Sequence, residues 1–294
     1  IDLDPEDWET LYSIGLLDLE MDNFDSAENI FTRLVAADQR FDEAQFYLGF
    51  IDEQRDDLPA AIAHYREVRI GTNNFLAAQQ QATQLSIRLG ELEDAHNWLA
   101  RLSRGQPRLE VLFNTVESAA LIQAGYGDEA KALLDRALNK YPGETDLLFA
   151  RVLYYDSQND MAGSERDLRQ IIRAKPDDSR ALNHLGYMLA DRTDRYEEAL
   201  ELAQQAIALE PDDPAIIDTL GWAQYKVGRL EEALANLQRA YSLFRNDEVA
   251  AHVGEVLWQL GREQEAVEVW REALEIQPDS QYIDDIVERF NPPL

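Results

Sequence analysis

The chain has 294 residues and carries 57 acidic against 27 basic side chains, a formal net charge of −30, which argues against unassisted binding to nucleic acid or anionic lipid. Its 45% apolar content can bury one long continuous core. No apolar run approaches the roughly eighteen residues of a membrane span and no secretion signal opens the chain, while the absence of cysteine excludes disulfides, thiolate nucleophiles and thiolate zinc sites.

The organising feature is a repeat. Small residues recur at Ala27, Ala61, Ala95, Ala130, Ser164, Ala199, Ala233 and Ala266, with successive gaps of 34, 34, 35, 34, 35, 34 and 33. Three columns move with them. Upstream lie Gly15, Gly49, Thr83, Ser118, Gly221 and Gly254, with Gly186 displaced by one, where helices are expected to meet closely. Two helical turns downstream lie Leu34, Val68, Leu102, Ala137, Ile171, Ala206, Ala240 and Ala273, on the same expected buried face. Further on, Pro107, Pro142, Pro176, Pro211 and Pro278 are expected to end one helix before an acidic start of the next.

In chain order, residues 1–7 read as the exit of a truncated upstream repeat, because Ile1-Asp2-Leu3-Asp4-Pro5-Glu6-Asp7 parallels Ile207-Ala208-Leu209-Glu210-Pro211-Asp212-Asp213. Upstream repeats are therefore expected. Eight helix–turn–helix units follow at 8–41, 42–75, 76–110, 111–144, 145–178, 179–213, 214–246 and 247–280. The 145–178 unit departs most, with Arg151-Val152 in place of glycine and Ser164 in place of alanine, so looser packing is expected there. Residues 281–294 close the chain with Tyr282, Ile283, Ile286, Val287 and Phe290 at the spacing of an amphipathic capping helix, and read as a natural C-terminus. No alternating strand pattern competes.

A helical hairpin of about this period, with small residues at helix crossings and proline at the exits, resembles the tetratricopeptide repeat (TPR) family. Residues 179–280 carry the likeness most clearly, in ALNHLGYMLA, EEALELAQQAIALEPDD, IIDTLGWAQYKVGRLEEALANLQRA and LGREQEAVEVWREALEIQPD. The resemblance implies an all-α, right-handed superhelix of about eight hairpins, with first helices lining a concave groove.

Signs of catalysis are missing. His64, His96, His184 and His252 fall in different units, none beside a glycine-flanked serine, and His252 lacks the second histidine of a helical metal pair. They are expected at the surface or in the groove. Gly125-Tyr126-Gly127 reads as an inter-helix turn and not a phosphate cradle. The pairs Glu197-Glu198, Glu231-Glu232 and Asp284-Asp285 read as acids favouring helix N-termini. The chain is thus expected to be no enzyme, with no catalytic residue, metal or cofactor.

Register within the TPR hairpin projects a groove lined by Tyr12 and Leu16, Phe46 and Phe50, Gln80 and Gln84, and Thr115 in the first half. In the second half it projects Asn183 and Tyr187, then Asp218, Trp222 and Tyr225, then His252, Glu255 and Trp258. Trp222 and Tyr225 either contact a ligand or fill space between consecutive first helices. Asn183 and Asp218 either pin an extended peptide or are solvated. Charge reversal at Asp218 with Trp222→Ala is expected to abolish binding without unfolding the chain.

The pairing of Leu-Gly-Tyr-Met-Leu-Ala-Asp at 185–191 with Asp-Thr-Leu-Gly-Trp-Ala-Gln-Tyr at 218–225 resembles long-array TPR proteins of Gram-negative bacteria. The chain is similar to the C-terminal part of pseudomonad outer-membrane TPR lipoproteins that partner a carboxyl-terminal processing protease. This resemblance implies a periplasmic adaptor, anchored by an N-terminal lipid that this chain lacks and not itself inserted in the membrane. Its implied partners are protein segments, namely the protease and the peptidoglycan cross-link hydrolases presented to it. The alternative is a scaffold in lipopolysaccharide or pilus biogenesis.

Overall fold

The computed structural model describes residues 7–292. Residues 1–6 of the expected repeat exit, and Pro293 and Leu294 of the tail, lie outside the described residues. Among the described residues the chain is all-α, with seventeen helices and no strand. It divides into two compact units, Ile1–Ser157 and Gln158–Leu294, and the division falls inside the least regular repeat.

The first unit holds α1 (Trp8–Glu20), α2 (Phe24–Ala36), α3 (Phe41–Gln54), α4 (Leu58–Glu67), α5 (Phe75–Arg88), α6 (Leu92–Leu102), α7 (Pro107–Gln123), α8 (Gly127–Lys140) and α9 (Thr145–Ser157). The second holds α10 (Met161–Ala174), α11 (Ser179–Arg192), α12 (Tyr196–Leu209), α13 (Pro214–Lys226), α14 (Leu230–Leu243), α15 (Asp247–Gln259), α16 (Glu263–Ile276) and α17 (Gln281–Phe290).

The small-residue column explains the packing. All eight of its members are at most 1% exposed, so a larger side chain would separate the helices that meet there. The glycine column has the same cause: a Cβ on Gly254 would lie 2.0 Å from Trp270 Nε1, and one on Gly49 would lie 2.8 Å from the Tyr65 ring. The downstream column is buried as well, except that Leu102 is half-buried against the core of the first unit.

Helix ends follow local chemistry. Asp7, Asp57, Asp160, Asp178, Asp213, Asn246 and Ser280 cap their helices by accepting from first-turn backbone N–H groups. Glu197 and Glu198, Glu231 and Glu232, and Asp284 sit in first turns, where the helix dipole favours acids. Gly125 turns the chain with φ +84° ahead of α8. Pro142, Pro176, Pro211 and Pro278 follow helix ends, but Pro107 opens α7. At that first position its missing N–H has no intrahelical partner to lose, so α7 starts ahead of the unit limit expected at 110.

At the C-terminus α17 packs on α15. Ile283 and Ile286 are buried, and the Phe290 ring lies 5.9 Å from Trp258 and 6.4 Å from Trp270.

Candidate protein-interaction site

The second unit contains an open cleft of about 460 Å³ walled by three successive first helices. Helix α11 contributes Asn183 and, one helical turn on, Tyr187, with His184 beside them. Asp213, Pro214, Ala215, Asp218 and Thr219 come from the start of α13, while Phe244, Asn246, Glu248 and Val249 come from the exit of α14 and the start of α15.

Beneath the cleft lies a buried polar pair. His252 Nδ1 stands 3.0 and 3.2 Å from the two carboxylate oxygens of Asp218, and each side chain is only 7% exposed. The His252 ring stacks on Trp222 at 4.0 Å, and Trp222 lies 5.0 Å from Tyr225. Burial alone would lower the His252 pKa, but Asp218, with Glu248 and Glu255, carries it above the ordinary histidine value. The Tyr187 hydroxyl donates to Glu248, joining α11 to α15. Burial pushes the Tyr187 hydroxyl pKa upward, and the Glu248 charge adds to the shift. Tyr225 donates to Glu255 at 3.0 Å, and Arg289 of α17 reaches the same carboxylate at 2.6 Å.

Asn183, Tyr187 and Asp218 therefore line one cleft, while several other projected groove residues are core. Trp222 is buried, its indole N–H has no hydrogen-bond partner, and it fills the space between first helices. His252, expected at a surface or in the groove, is buried because Asp218 and Trp222 hold it inside. Charge reversal at Asp218 with Trp222→Ala would consequently disrupt the unit and is no clean probe of binding. Tyr225 is half-buried against the core, Glu255 is buried and ion-paired, and Trp258 stacks on Trp270 at 5.7 Å.

In the first unit Tyr12 and Leu16 pack on the core around Phe31, and Phe46 packs on Tyr65 at 5.5 Å. Phe50 is 36% exposed and Gln80 is exposed. Gln84 lines a smaller cleft of about 320 Å³ with Glu53, Arg88 and Gln123. Thr115 donates to the Leu112 carbonyl at 2.7 Å. His64 lies against Gln45, and His96 pairs with Glu117, whose hydrogen bond raises the histidine pKa. No group of three or more His, Cys, Asp or Glu placed to hold a metal occurs among the described residues.

Sequence reasoning missed Asp213, Phe244, Asn246 and Glu248. Phe244 had a legible signal: it is the C-cap of α14, a place held by Lys175, Glu210 and Gln277 at the ends of α10, α12 and α16.

The tetratricopeptide repeat family pattern matches residues 12–75, 149–214 and 219–281. The chain belongs to the TPR family. It is 39% identical over 214 residues to the TPR repeat-containing protein PA4667 of Pseudomonas aeruginosa, a match covering 73% of this chain. The chain spans about a third of that relative, 36% of its length. Solved TPR structures are also similar. MamA of Desulfovibrio magneticus is 17% identical with a TM-score of 0.50, covering 58% of this chain and 97% of that one. The pilF protein of Pseudomonas aeruginosa is 19% identical with a TM-score of 0.50, covering 57% and 78%. A TPR protein of Parabacteroides merdae is 15% identical with a TM-score of 0.50, covering 96% and 97%. These structural likenesses establish the fold alone. TPR proteins are typically non-catalytic scaffolds that bind protein or peptide partners.

Proposed function

We propose that this TPR chain is a periplasmic adaptor, held at the outer membrane through an N-terminal lipid outside the chain. It binds a carboxyl-terminal processing protease and presents peptidoglycan cross-link hydrolases to it. The observation that carries the binding part is the cleft, where three consecutive first helices place Asn183, Tyr187 and Asp218 around one open volume. The pathway is supported by likeness to the pseudomonad lipoprotein group, with which the 39% identity to a Pseudomonas aeruginosa TPR protein is consistent.

The mechanism is proximity. One surface holds the protease and another holds the substrate, so that a bimolecular cleavage becomes nearly intramolecular. The cleft serves as one of the two surfaces. The protease supplies the bond-breaking groups.

Affinity capture from a bacterial envelope extract, followed by mass spectrometry in low and moderate salt, tests the reading. Enrichment of a processing protease or a peptidoglycan hydrolase is the expected result. Recovery of lipopolysaccharide or pilus assembly components in their place would assign the scaffold to another envelope pathway.

A further inference from the structure

The cleft of the second unit has an apolar wall and an acidic rim. Pro214, Ala215 and Val249 form apolar wall, and Phe244 stands at the mouth with 57% of its surface exposed. The C-caps of the other second helices of this unit, Lys175, Glu210 and Gln277, are polar, as suits exposed positions. An aromatic ring in that position leaves apolar area in water unless something covers it.

The charged groups narrow the choice of cover. Three carboxylates line the cleft, Asp213, Asp218 and Glu248, and neither lysine nor arginine does. Asp218 is answered by His252 below. Asp213 accepts from the Ala215 and Ile216 backbone N–H groups, and Glu248 accepts from the Tyr187 hydroxyl. These bonds fix the two carboxylates in place, and among the described residues neither forms an ion pair with a lysine or arginine. His184 is the one other basic group in the lining.

We infer that this cleft holds a segment of a partner protein in which a lysine or arginine adjoins a bulky apolar side chain. The apolar side chain covers Phe244 and Val249, and the cation lies between Asp213 and Glu248. The inference rests on the scaffold reading and adds the chemistry of the recognised segment.

Fluorescence anisotropy with a labelled short peptide alternating lysine and leucine, against the same peptide with glutamate for lysine, tests it. Phe244 and Ala215 are both exposed, so Phe244→Ala and Ala215→Arg can be made without opening the core. Ala162→Arg, on an exposed part of α10 outside the cleft, adds the same charge as a control. The lysine peptide is expected to bind and the glutamate peptide not. Phe244→Ala and Ala215→Arg should each weaken binding about tenfold or more, with Ala162→Arg within about twofold of wild type. Circular dichroism melting should be unchanged in all three. No binding of the lysine peptide, equal binding of both peptides, or equal effects of Ala215→Arg and Ala162→Arg would overturn the inference. Failure of the scaffold reading registers separately, as absence of any captured protein partner for the wild-type chain.

Discussion

His252 and Asp218 lie 34 positions apart, one repeat, and meet as a buried pair between α13 and α15. Equivalent positions on successive first helices thus become neighbours, and the polar floor of the cleft is built from that register. Glu255 and Arg289 repeat the relationship between α15 and α17, again 34 positions apart.

Removing one member of the His252–Asp218 pair leaves the other buried without a partner. His252→Leu should destabilise the chain by about 3–5 kcal/mol, the usual cost of stranding a buried charge. Adding Asp218→Leu should restore part of the loss, because the two effects are coupled. Urea denaturation of the two single variants and the double variant measures this; additive losses would show that the pair is not a unit.

The same pair sets a pH dependence. The folded pKa of His252 lies above its unfolded value, near 6.5, chiefly because Asp218, Glu248 and Glu255 outweigh the effect of burial among Trp222 and Tyr187. The stabilisation is complete below the unfolded value and is lost as pH rises through the folded one. The stability difference between wild type and the His252→Leu, Asp218→Leu double variant should therefore shrink from mildly acidic to alkaline pH. Comparison with the double variant removes the background repulsion of the −30 chain.

The fold was largely legible because its cause is one-dimensional. Ala27, Ala199 and Ala266 recur at the repeat period because each sits where two helices touch, and that requirement depends on spacing alone. The site was less legible because groove exposure depends on what each side chain finds in the neighbouring repeat. Asp218 projects toward the groove, but His252 in the next unit meets it from below, with Trp222 stacked on the imidazole. Tyr12 and Phe46, projected to the groove, are half-buried and also pack against the rings of Phe31 and Tyr65. Phe244 lies after the last residue of α14, where helical periodicity is silent and only comparison with Lys175, Glu210 and Gln277 marks it.

The glycine column makes a graded test of close helix contact. Gly254→Ala would drive a methyl group into the buried Trp270 ring, whereas at Gly186 the nearest obstruction is the Ala199 carbonyl at 3.3 Å. Overpacking at Gly254 should cost about 1–3 kcal/mol. At Gly186 the gain of about 0.5–1 kcal/mol from replacing a mid-helix glycine offsets much of the strain. Thermal melts of the two variants should separate clearly, with Gly254→Ala the lower.

Helix α17 covers apolar surface on α15. Ile286→Ala should cost about 2–5 kcal/mol, the range for truncating a buried aliphatic side chain. The tryptophans beside α17, Trp258 and Trp270, report the transition by fluorescence during urea unfolding. A loss below 1 kcal/mol, roughly that of a surface site, would mean that α17 is not part of the core.

The central claim is that the α11–α13–α15 cleft is where a protein partner sits. Hydrogen–deuterium exchange on the chain, alone and with a processing protease or a peptidoglycan hydrolase bound, measures it directly. Slowed exchange is expected in peptides covering 183–187, 213–219 and 244–249 with at least one partner. Unchanged exchange there, with protection confined to other segments for every partner that binds, would contradict it.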